Sequence, residues 1–391
     1  MTAAAVFDPA DFQPALQTRL LVLQPTPFCN IDCSYCYLPA RDERSRMTVE
    51  TVEAVAQRLL DDGLVGDELA VVWHAGEPLA VPPAFYEAAF AALAQRLGPR
   101  TELQHCIQTN ATLIDDSWCE LFVRHRVKIG ISIDGPADLH DRHRRTRHGR
   151  GTHAQVMHGV ARLRAHGIPF HAIAVVTAAT LPQAEGFAQF FIELGATELG
   201  LNFDEAEGAN PRSSLAGQEE AHAAFLRALL PHLQAGRLQL RELAQAFRLV
   251  AQPLPTYRWA GEDWPHNEQV LPFALLNVAA NGDFGTFSPE LLGQATEQHG
   301  SGFTIGNVHR TGLFEAARGP AFAQLWQPIR AGVSLCRESC AHHFVCGGGS
   351  PVNKLYECGS LAAGETLYCR SMLKRPFDIA LQSLEADLER T

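Results

Sequence analysis

The sequence predicts an α/β fold in which a partial (β/α)6 barrel of TIM type is followed by a smaller cysteine-rich domain. Short apolar runs alternate with amphipathic helical segments between Thr18 and about Phe203. Such alternation is typical of a parallel sheet covered by helices. Polar motifs follow several of the apolar runs, and five cysteines gather after residue 335. These observations predict a barrel that carries the chemistry and a second unit that carries further ligands.

Six barrel strands are expected, at Leu20–Leu23, Leu69–Trp73, Leu103–Gln108, Ile129–Ile133, Phe170–Val176 and Leu199–Phe203. The helices are expected at Val49–Leu60, Phe85–Leu97, Ser117–Val123, Ala154–Ala165 and Ala184–Leu194. Thr48 is a suitable N-cap, and Gly63 and Gly195 follow helix ends, where glycine is favoured. The predicted division is an extension over residues 1–17, the barrel over 18–204, a helical linker over 205–268 and a cluster-binding domain over 269–391.

The composition excludes several classes of protein. The 391 residues are 46% hydrophobic, enough for a large core, and the net charge of −11 argues against general nucleic-acid binding. No run of about 18 apolar residues predicts a membrane span. The start of the chain carries Asp8 and Asp11 and is unlike a secretory signal, so a cytoplasmic protein is expected. Its ten cysteines are interpreted as metal ligands, with Cys106 and Cys119 as buried apolar residues.

The first group of cysteines, Cys29, Cys33 and Cys36, has the spacing C-x3-C-x2-C. Three thiolates can hold three irons of a [4Fe–4S] cube, whereas most such cubes take four cysteines. The fourth iron would then be open and able to bind a substrate. The alternative is a structural zinc site, although zinc prefers four ligands, commonly in paired C-x2-C units.

This spacing, with Tyr35 immediately before the third cysteine, resembles the signature of the radical S-adenosylmethionine (SAM) superfamily. The resemblance implies that the open iron binds the amino and carboxylate groups of SAM. It also implies that an electron from the reduced cluster cleaves SAM to a 5′-deoxyadenosyl radical. In such chemistry the cofactor supplies the reaction, and the protein supplies position and exclusion of water.

Three further segments resemble SAM-binding loops of the same superfamily, each close after a predicted strand. They are Ala75-Gly76-Glu77-Pro78, similar to Gly-Gly-Glu-Pro, Gln108-Thr109-Asn110-Ala111, similar to a segment ending in Thr-Asn-Gly, and Ser132-Ile133-Asp134-Gly135, similar to Ser-x-Asp-Gly. Functional loops of barrels lie at the carboxyl ends of the strands, so these segments are expected to converge. Ala75 replaces the first glycine and is expected to keep a negative φ. The alternative for each segment is a simple turn.

An arginine-rich segment follows between His140 and Arg150. Arg144 is a candidate to pair with the SAM carboxylate through two hydrogen bonds, and the other arginines could attract an acidic peptide. The alternative is a solvated loop.

The second group of cysteines lies near the C-terminus, at Cys336, Cys340, Cys346, Cys358 and Cys369. Its C-x3-C-x5-C spacing with a distant further cysteine resembles a SPASM domain, which carries auxiliary iron–sulfur clusters. We expect one closed auxiliary [4Fe–4S] cluster on four of them, Cys336, Cys340, Cys346 and Cys369. A full SPASM domain has seven cysteines and two clusters, and residues 281–290 lack the cysteine expected there. Four thiolates would also suit zinc.

Together these motifs resemble the radical SAM/SPASM peptide maturases over about residues 18–375, and more narrowly their cyclophane-forming group of GrrM/OscB type. The narrower likeness rests on residues 287–293, 306–308 and 346–370. It implies a crosslink within a ribosomally made precursor peptide. The radical takes a β-hydrogen, the carbon radical attacks an aromatic ring, and the auxiliary cluster accepts an electron. A general base must take the ring proton, and Glu290, Asp204 and Asp134 are candidates.

The resemblance also implies partners, namely the precursor peptide and an electron donor such as flavodoxin or ferredoxin. Because only about 17 residues precede the first strand, we expect no separate leader-binding domain here. The leader would be recognised by the barrel mouth, the SPASM region or a separate leader-binding protein. The alternative enzymes are an anaerobic sulfatase-maturating enzyme, which oxidises a Cys or Ser, and a thioether-forming maturase. The alternative outside enzymes is a zinc-binding interaction protein.

Overall fold

The computed structural model describes residues 7–252, 255–294, 296 and 303–390. The strands in these ranges are β1 (Phe12–Gln13), β2 (Thr18–Leu23), β3 (Ile31–Cys33), β4 (Val65–Trp73), β5 (Glu102–Thr109), β6 (Lys128–Ser132), β7 (Arg144–Thr146), β8 (Phe170–Val176), β9 (Leu199–Phe203), β10 (Thr256–Trp259), β11 (Glu262–Pro265), β12 (Leu275–Val278), β13 (Asp283–Thr286) and β14 (Gly306–Asn307). The main sheet has the order β14-β13-β12-β2-β4-β5-β6-β8-β9, and two small sheets contain β1-β10-β11 and β3-β7.

The helices are α1 (Val49–Asp61), α2 (Pro83–Arg96), α3 (Asp116–His125), α4 (Ala137–His143), α5 (His153–Ala165), α6 (Ala184–Leu194), α7 (Glu219–Gln234), α8 (Arg241–Ala251), α9 (Leu313–Ala317), α10 (Pro320–Ser339), α11 (His343–Cys346), α12 (Pro351–Cys358) and α13 (Arg375–Leu388). A π-helical segment, Cys369–Lys374, precedes α13. None of the described helices is both long and apolar enough to cross a membrane.

The six predicted barrel strands form one parallel array in chain order, from β2 through β4, β5, β6 and β8 to β9. Three predicted segments, Phe170–Val176, Ala184–Leu194 and Leu199–Phe203, have the bounds that the sequence indicated. Buried residues alternate with partly exposed ones along β8, as expected for a strand between helices and the barrel interior. The predicted α/β barrel fold is therefore confirmed.

The main sheet extends beyond the predicted barrel. β12 pairs parallel with β2, with Leu275 opposite Leu20 and Val278 opposite Leu23. β12 then forms an antiparallel hairpin with β13 through a turn at Asn281 and Gly282, where Gly282 has φ +86°. One sheet thus contains residues from both sides of the boundary predicted after residue 268, and the division into domains stays a prediction.

The long loop predicted between β2 and α1 contains a short strand that sequence reasoning missed. β3 pairs antiparallel with β7, with Ile31 opposite Thr146 and Cys33 opposite Arg144. Three residues are too few to establish an alternation of apolar and polar side chains, so no pattern marked either strand. The pairing fixes the cysteine loop against the arginine-rich segment. The alternative interpretation of that segment was a solvated loop.

A cluster of aromatic rings joins the N-terminal segment, the β10–β11 hairpin and α10. The Trp326 ring lies 5.2 Å from that of Trp264, 5.5 Å from Trp259 and 6.3 Å from Phe12, measured between centroids. Trp326 is 2% exposed. Large buried rings dominate the energy of a core, so this cluster stabilises the packing of α10 against the N-terminal segment and the β10–β11 hairpin.

We expect Trp326→Ala to lower the free energy of unfolding by about 3–5 kcal/mol, because it leaves a cavity among packed rings. Denaturant unfolding of the anaerobically purified protein measures this change. Val123→Ala, on the exposed side of α3, is the matched control and should stay within about 0.5 kcal/mol of the parent. Equal effects of the two substitutions would contradict the role given to the cluster.

Candidate active site

A cavity of about 430 Å³ lies at the carboxyl ends of the barrel strands, as expected for functional loops of this fold. Its volume is in the range of small-ligand sites. Most of the residues predicted for the first site line it: Cys29, Cys33, Tyr35, Cys36, Ala75, Gly76, Glu77, Gln108, Asn110, Ser132, Arg144, Asp204 and Glu290. Pro78 and Asp134 do not line it. The strand order therefore brings together motifs that are far apart in the sequence.

Two of the three thiols of the cysteine loop, those of Cys29 and Cys33, are enclosed by the protein. Burial raises the pKa of the Cys29 and Cys33 thiols to about 12. A bound metal ion replaces the proton of such a thiol, so the cysteines would bind the metal as thiolates. Within the described ranges, no three His, Cys, Asp or Glu side chains are grouped closely enough to hold a single ion. Each cysteine of a four-iron cube binds a different iron, so the ligands of a cube are more widely spaced than those of one ion.

Cys106, which was predicted to be a buried apolar residue, also lines this cavity. It lies within β5, three residues before the strand ends, and is therefore set back from the cysteine loop. Cys119 is fully buried in α3, as predicted.

The turn after β4 approaches the cysteine loop so closely that one position requires glycine. Gly76 has φ +58°, and a Cβ atom there would lie 2.4 Å from the carbonyl oxygen of Thr26 and 2.5 Å from that of Phe28. Ala75 has φ +73°, so the expectation of a negative φ at this alanine is wrong. The backbone must reverse within two residues for the Glu77 N–H to reach the Phe28 carbonyl at 2.7 Å. Left-handed backbone costs an alanine roughly 1–2 kcal/mol.

The Glu77 carboxylate joins the loops that follow β4 and β5. It accepts hydrogen bonds from the Thr109 hydroxyl at 2.6 Å, the Asn110 N–H at 2.8 Å and the Leu79 N–H at 2.9 Å. Burial raises the pKa of Glu77 to about 7, while these three donors oppose the rise. All of these partners belong to the chain itself, so the carboxylate acts by holding the two loops in place.

The predicted polar residues at the ends of β5 and β6 lie side by side. Asn110 Nδ2 lies 3.8 Å from Cys29 Sγ, and Gln108 Nε2 donates to Ser132 Oγ at 3.0 Å. Ala111, which stands where the resembling motif has glycine, has φ +60°. Both alanines that replace motif glycines are thus held in the left-handed region.

Asp134 and Arg144 form a buried ion pair beside the cysteine loop. Arg144 donates through Nε and Nη2 to the two carboxylate oxygens at 3.0 and 3.1 Å. The Tyr35 hydroxyl and the Val175 N–H also donate to Asp134. Burial favours the neutral carboxyl, but the Arg144 charge and these donors outweigh it and hold the pKa of Asp134 below its usual range. This geometry makes Asp134 a weak proton acceptor and gives Arg144 a partner within the chain.

Asp204, another candidate base, organises the loop that follows β9. Its Oδ1 accepts a hydrogen bond from Asn210 Nδ2 at 3.0 Å, and its Oδ2 accepts one from the Ser214 N–H at 2.9 Å. Both oxygens therefore have donors from the same loop.

Three further carboxylates, those of Glu205, Glu207 and Glu290, line the cavity. Burial raises the pKa of all three, that of Glu205 to about 8, and neighbouring negative charges add to the rise at Glu205 and Glu207. Asn353 of α12 donates to Glu205. In the part of the chain that the structure describes, Oε1 of Glu207 and Oε2 of Glu290 are buried without a hydrogen-bond partner. Sequence reasoning missed Glu205 and Glu207, although their place directly after β9 was a usable signal.

A second, smaller cavity of about 60 Å³ lies in the C-terminal region. The four cysteines predicted for an auxiliary cluster line it: Cys336, Cys340, Cys346 and Cys369. Cys358 is exposed and lies outside this lining. Lys354 is 2% exposed, and its Nζ lies 3.4 Å from Cys336 Sγ. Gly349 has φ +73°, and a Cβ atom there would lie 3.3 Å from Cys369 Sγ.

We expect Gly76→Ala to cost more than the strain of its backbone. Gly63→Ala is the matched control, because Gly63 has a similar φ of +65° but nothing lies within 4 Å of its added Cβ. The control should lose roughly 1–2 kcal/mol of unfolding free energy. Gly76→Ala should lose about 1–3 kcal/mol more through overpacking. Denaturant unfolding compares the two variants, and equal losses would contradict the close approach of the loops.

The raised pKa of Glu205 predicts a pH dependence of stability. Below the ordinary pKa of 4.5 the carboxyl is protonated in both the folded and unfolded chain, and it has no effect. Between pH 4.5 and about 8 the unfolded chain releases this proton first, so stability falls as pH rises. Glu205→Gln should therefore raise the thermal midpoint at pH 8 and leave it nearly unchanged at pH 4.5. A gain of the same size at both pH values would refute the assignment.

Comparison with known proteins agrees with the geometry. A family model described as the Radical SAM superfamily matches residues 23–205. The uncharacterized protein sll1766 of Synechocystis is 34% identical over 380 residues, which cover 95% of this chain and 93% of that protein. The serine-type anaerobic sulfatase-maturating enzyme of Bacteroides thetaiotaomicron is 33% identical over 190 residues, 47% of this chain and 45% of the enzyme. The match thus spans about half the length of that enzyme.

Solved structures share the fold over most of the chain. Native anSMEcpe with bound AdoMet and Cp18Cys peptide has a TM-score of 0.74 at 18% identity, with 95% of this chain and 99% of that chain covered. SuiB of Streptococcus suis bound to its precursor peptide SuiA has a TM-score of 0.60 at 17% identity, with 91% and 76% covered. The fold, the ordered motifs and the near full-length relative lead to one conclusion: the chain is an enzyme and belongs to the radical SAM superfamily.

Proposed function

We propose that this enzyme uses SAM to form a carbon–carbon crosslink, a cyclophane, between an aromatic side chain and a β-carbon of a ribosomally made precursor peptide. The observation that carries the proposal is one cavity that brings three thiols together with three carboxylates whose pKa is raised by burial. The thiols suit a SAM-cleaving cluster, and the carboxylates suit removal of the proton that the aromatic ring must lose. The likeness in fold to SuiB bound to a precursor peptide supports a peptide as substrate class.

The residues around the cavity fit the cofactors that this reaction needs. Three thiols would hold a [4Fe–4S] cluster with one open iron: Cys29, Cys33 and Cys36. SAM would lie against the turn at residues 75–78 and the polar groups at Gln108, Asn110 and Ser132. When bound, the cluster and SAM together supply a 5′-deoxyadenosyl radical that abstracts a hydrogen atom. An external donor such as flavodoxin or ferredoxin would supply the initial electron.

The C-terminal cysteines fit an auxiliary [4Fe–4S] cluster. A lysine ammonium is almost never fully buried unless negative charge lies beside it. Lys354 is buried at 3.4 Å from the Cys336 sulfur and has no carboxylate ion pair among the described residues. Four thiolates on a cluster would provide the negative charge that this ammonium requires, and the cluster would accept the electron left after crosslinking.

Glu290 is the favoured general base for the crosslink. The reaction removes two hydrogens, one as an atom and one as a proton whose electron passes to an acceptor. A base suited to neutral pH needs a raised pKa and a free oxygen. Burial raises the pKa of Glu290, and its Oε2 has no partner in the described ranges, whereas Asp134 and Asp204 are each held by several donors.

A second candidate function is sulfatase maturation, in which a Cys or Ser side chain is oxidised to formylglycine. The 33% identity to a serine-type sulfatase-maturating enzyme over 190 residues favours it. Mass spectrometry of the product separates the functions, since a crosslink removes two hydrogens and leaves a ring-to-carbon bond. A formylglycine, or a sulfur bridge made by a thioether-forming maturase, would be recognised in the same experiment. A zinc-binding interaction protein would be colourless and would not cleave SAM.

Replacing Cys29, Cys33 or Cys36 by Ala is expected to abolish formation of 5′-deoxyadenosine. Each change removes one of three cluster ligands, and the remaining two cannot hold the cube. Chromatography of reduced, SAM-containing reactions measures the product. Cys119→Ala, a buried cysteine of α3 outside the cavity, should keep activity, and full cleavage by any of the first three variants would exclude the proposal.

Glu290→Gln is expected to lower crosslink formation about 10²-fold or more, the usual contribution of a general base. Formation of 5′-deoxyadenosine should continue, because hydrogen abstraction precedes loss of the proton. The measurement is the ratio of crosslinked peptide to 5′-deoxyadenosine, made with candidate precursor peptides. Asp204→Asn serves as the comparison, and a larger fall in this ratio for that variant would assign the base to Asp204.

A further inference from the structure

We infer that the carboxylates of Glu205 and Glu207 form a subsite for a positively charged side chain, lysine or arginine, of the peptide substrate. The inference rests on the proposed function, because it assumes that a peptide enters the cavity. It adds a requirement on the sequence of that peptide, namely a cationic residue near the aromatic residue that is crosslinked.

In the described part of the chain, no ion pair joins Glu205 or Glu207 to a cation. Glu205 also lines a neighbouring cavity with Arg212 and Arg370, and Arg370 pairs there with Glu219. Among the described residues that line the active-site cavity, Arg144 carries the permanent positive charge, and it is paired with Asp134. His74 and His171 also line the cavity, but burial lowers the pKa of both, that of His74 to about 4, so neither is charged at pH 7. The residues outside the described ranges include no lysine or arginine.

Glu207 gives the most direct evidence that a ligand binds here. It is 7% exposed, it lines the cavity, and its buried Oε1 has no hydrogen-bond partner in the described part of the chain. A buried carboxylate without a partner is unfavourable, so it is retained only where a donor arrives from outside the chain or the carboxyl stays protonated. An ammonium or guanidinium group would supply both the charge and the missing N–H donors.

The loop that carries Glu207 is built to hold it in this place. The Glu207 N–H donates to the Asn210 carbonyl at 2.7 Å, and the Asn210 N–H donates back to the Glu207 carbonyl at 2.8 Å. Gly208 has φ +53°, and a Cβ atom there would lie 2.4 Å from the Tyr37 carbonyl oxygen. The loop is therefore pressed against the end of the cysteine loop, and the position of Glu207 is fixed by the backbone.

Glu205 is fixed from the C-terminal side, by the Asn353 amide of α12. The subsite therefore lies where residues of the barrel and of the C-terminal region meet, beside Glu290. Hydrogen-bond donors are also needed here, and the sulfonium of SAM has none, so that cationic centre is a poor match for these oxygens. A lysine has three N–H donors and an arginine five, which suits two adjacent carboxylates.

The test uses binding rather than turnover. Anaerobically reconstituted enzyme with SAM is dialysed against a pool of acetyl-Gly-Xaa-Phe-Xaa-Gly-amide peptides, in which Xaa is Lys, Arg, Gln or Met. Mass spectrometry of the retained peptides should show at least tenfold preference for members with Lys or Arg. Glu207→Gln and Glu205→Gln should each lose most of this preference and still bind SAM. Glu68→Gln, an exposed carboxylate on β4 outside the cavity, should keep it.

The subsite is refuted if the parent enzyme shows no preference for cationic peptides, or if both cavity variants keep it. Addition of dithionite to the same samples then tests the proposed function separately, by the loss of two hydrogens from the retained peptides. Peptides that bind with cationic preference but show no change in mass would overturn the crosslinking proposal and leave the subsite in place. Crosslinking without cationic preference would refute the subsite and support the crosslinking proposal.

Discussion

The site depends on a small set of hydrogen bonds that join loops from different strands. Parallel strands deliver their following loops to one rim, but they do not fix how the loops stand against each other. The Glu77 N–H binds the Phe28 carbonyl of the cysteine loop, and its carboxylate accepts hydrogen bonds from Thr109 and Asn110. One residue thus sets the spacing between the cysteines, the turn after β4 and the end of β5. The left-handed backbone at Ala75 is the energetic cost of that arrangement.

The carboxylates around the cavity fall into two kinds. Asp134 is matched by Arg144 and further donors, so its charge is stabilised and its role is to shape the wall. Oε1 of Glu207 and Oε2 of Glu290 lack a hydrogen-bond partner among the described residues, and burial raises the pKa of each carboxyl. Folding alone gives no reason to bury unsatisfied carboxylates. Their presence next to the three thiols is therefore best explained by chemistry and by recognition of something that enters from outside.

Much of the fold was predictable because the periodic pattern of apolar and polar residues in the strands and helices is strong enough to recognise in one sequence. The runs that became β8, α6 and β9 had clear ends, marked by glycine or by a change of period. The first-site motifs were predictable because their order along the chain matched the order of the strands. β3 and β7 were not predictable, since their pairing depends on contact between segments more than 100 residues apart.

The roles of single side chains were harder to predict than their location. Asp134 and Arg144 were both predicted as site residues, yet only the folded structure shows that each is the other's partner. Glu205 and Glu207 were overlooked because a polar stretch after the last strand has the composition of a linker. Lys354 gave no signal at all, because burial of a lysine is decided by the neighbours that it meets after folding.

Strand β12 also determines the order in which the nascent protein can fold. The β2 edge of the barrel is completed by residues that the ribosome adds far later, since Thr18 bonds to Phe273 across 255 positions. Until then the emerging half-barrel has an open sheet edge, the kind of edge that recruits other chains. Closing so long a loop is slow, which leaves a window for chaperone binding during synthesis. If the barrel residues were produced without β12, the β2 edge of the sheet would stay exposed.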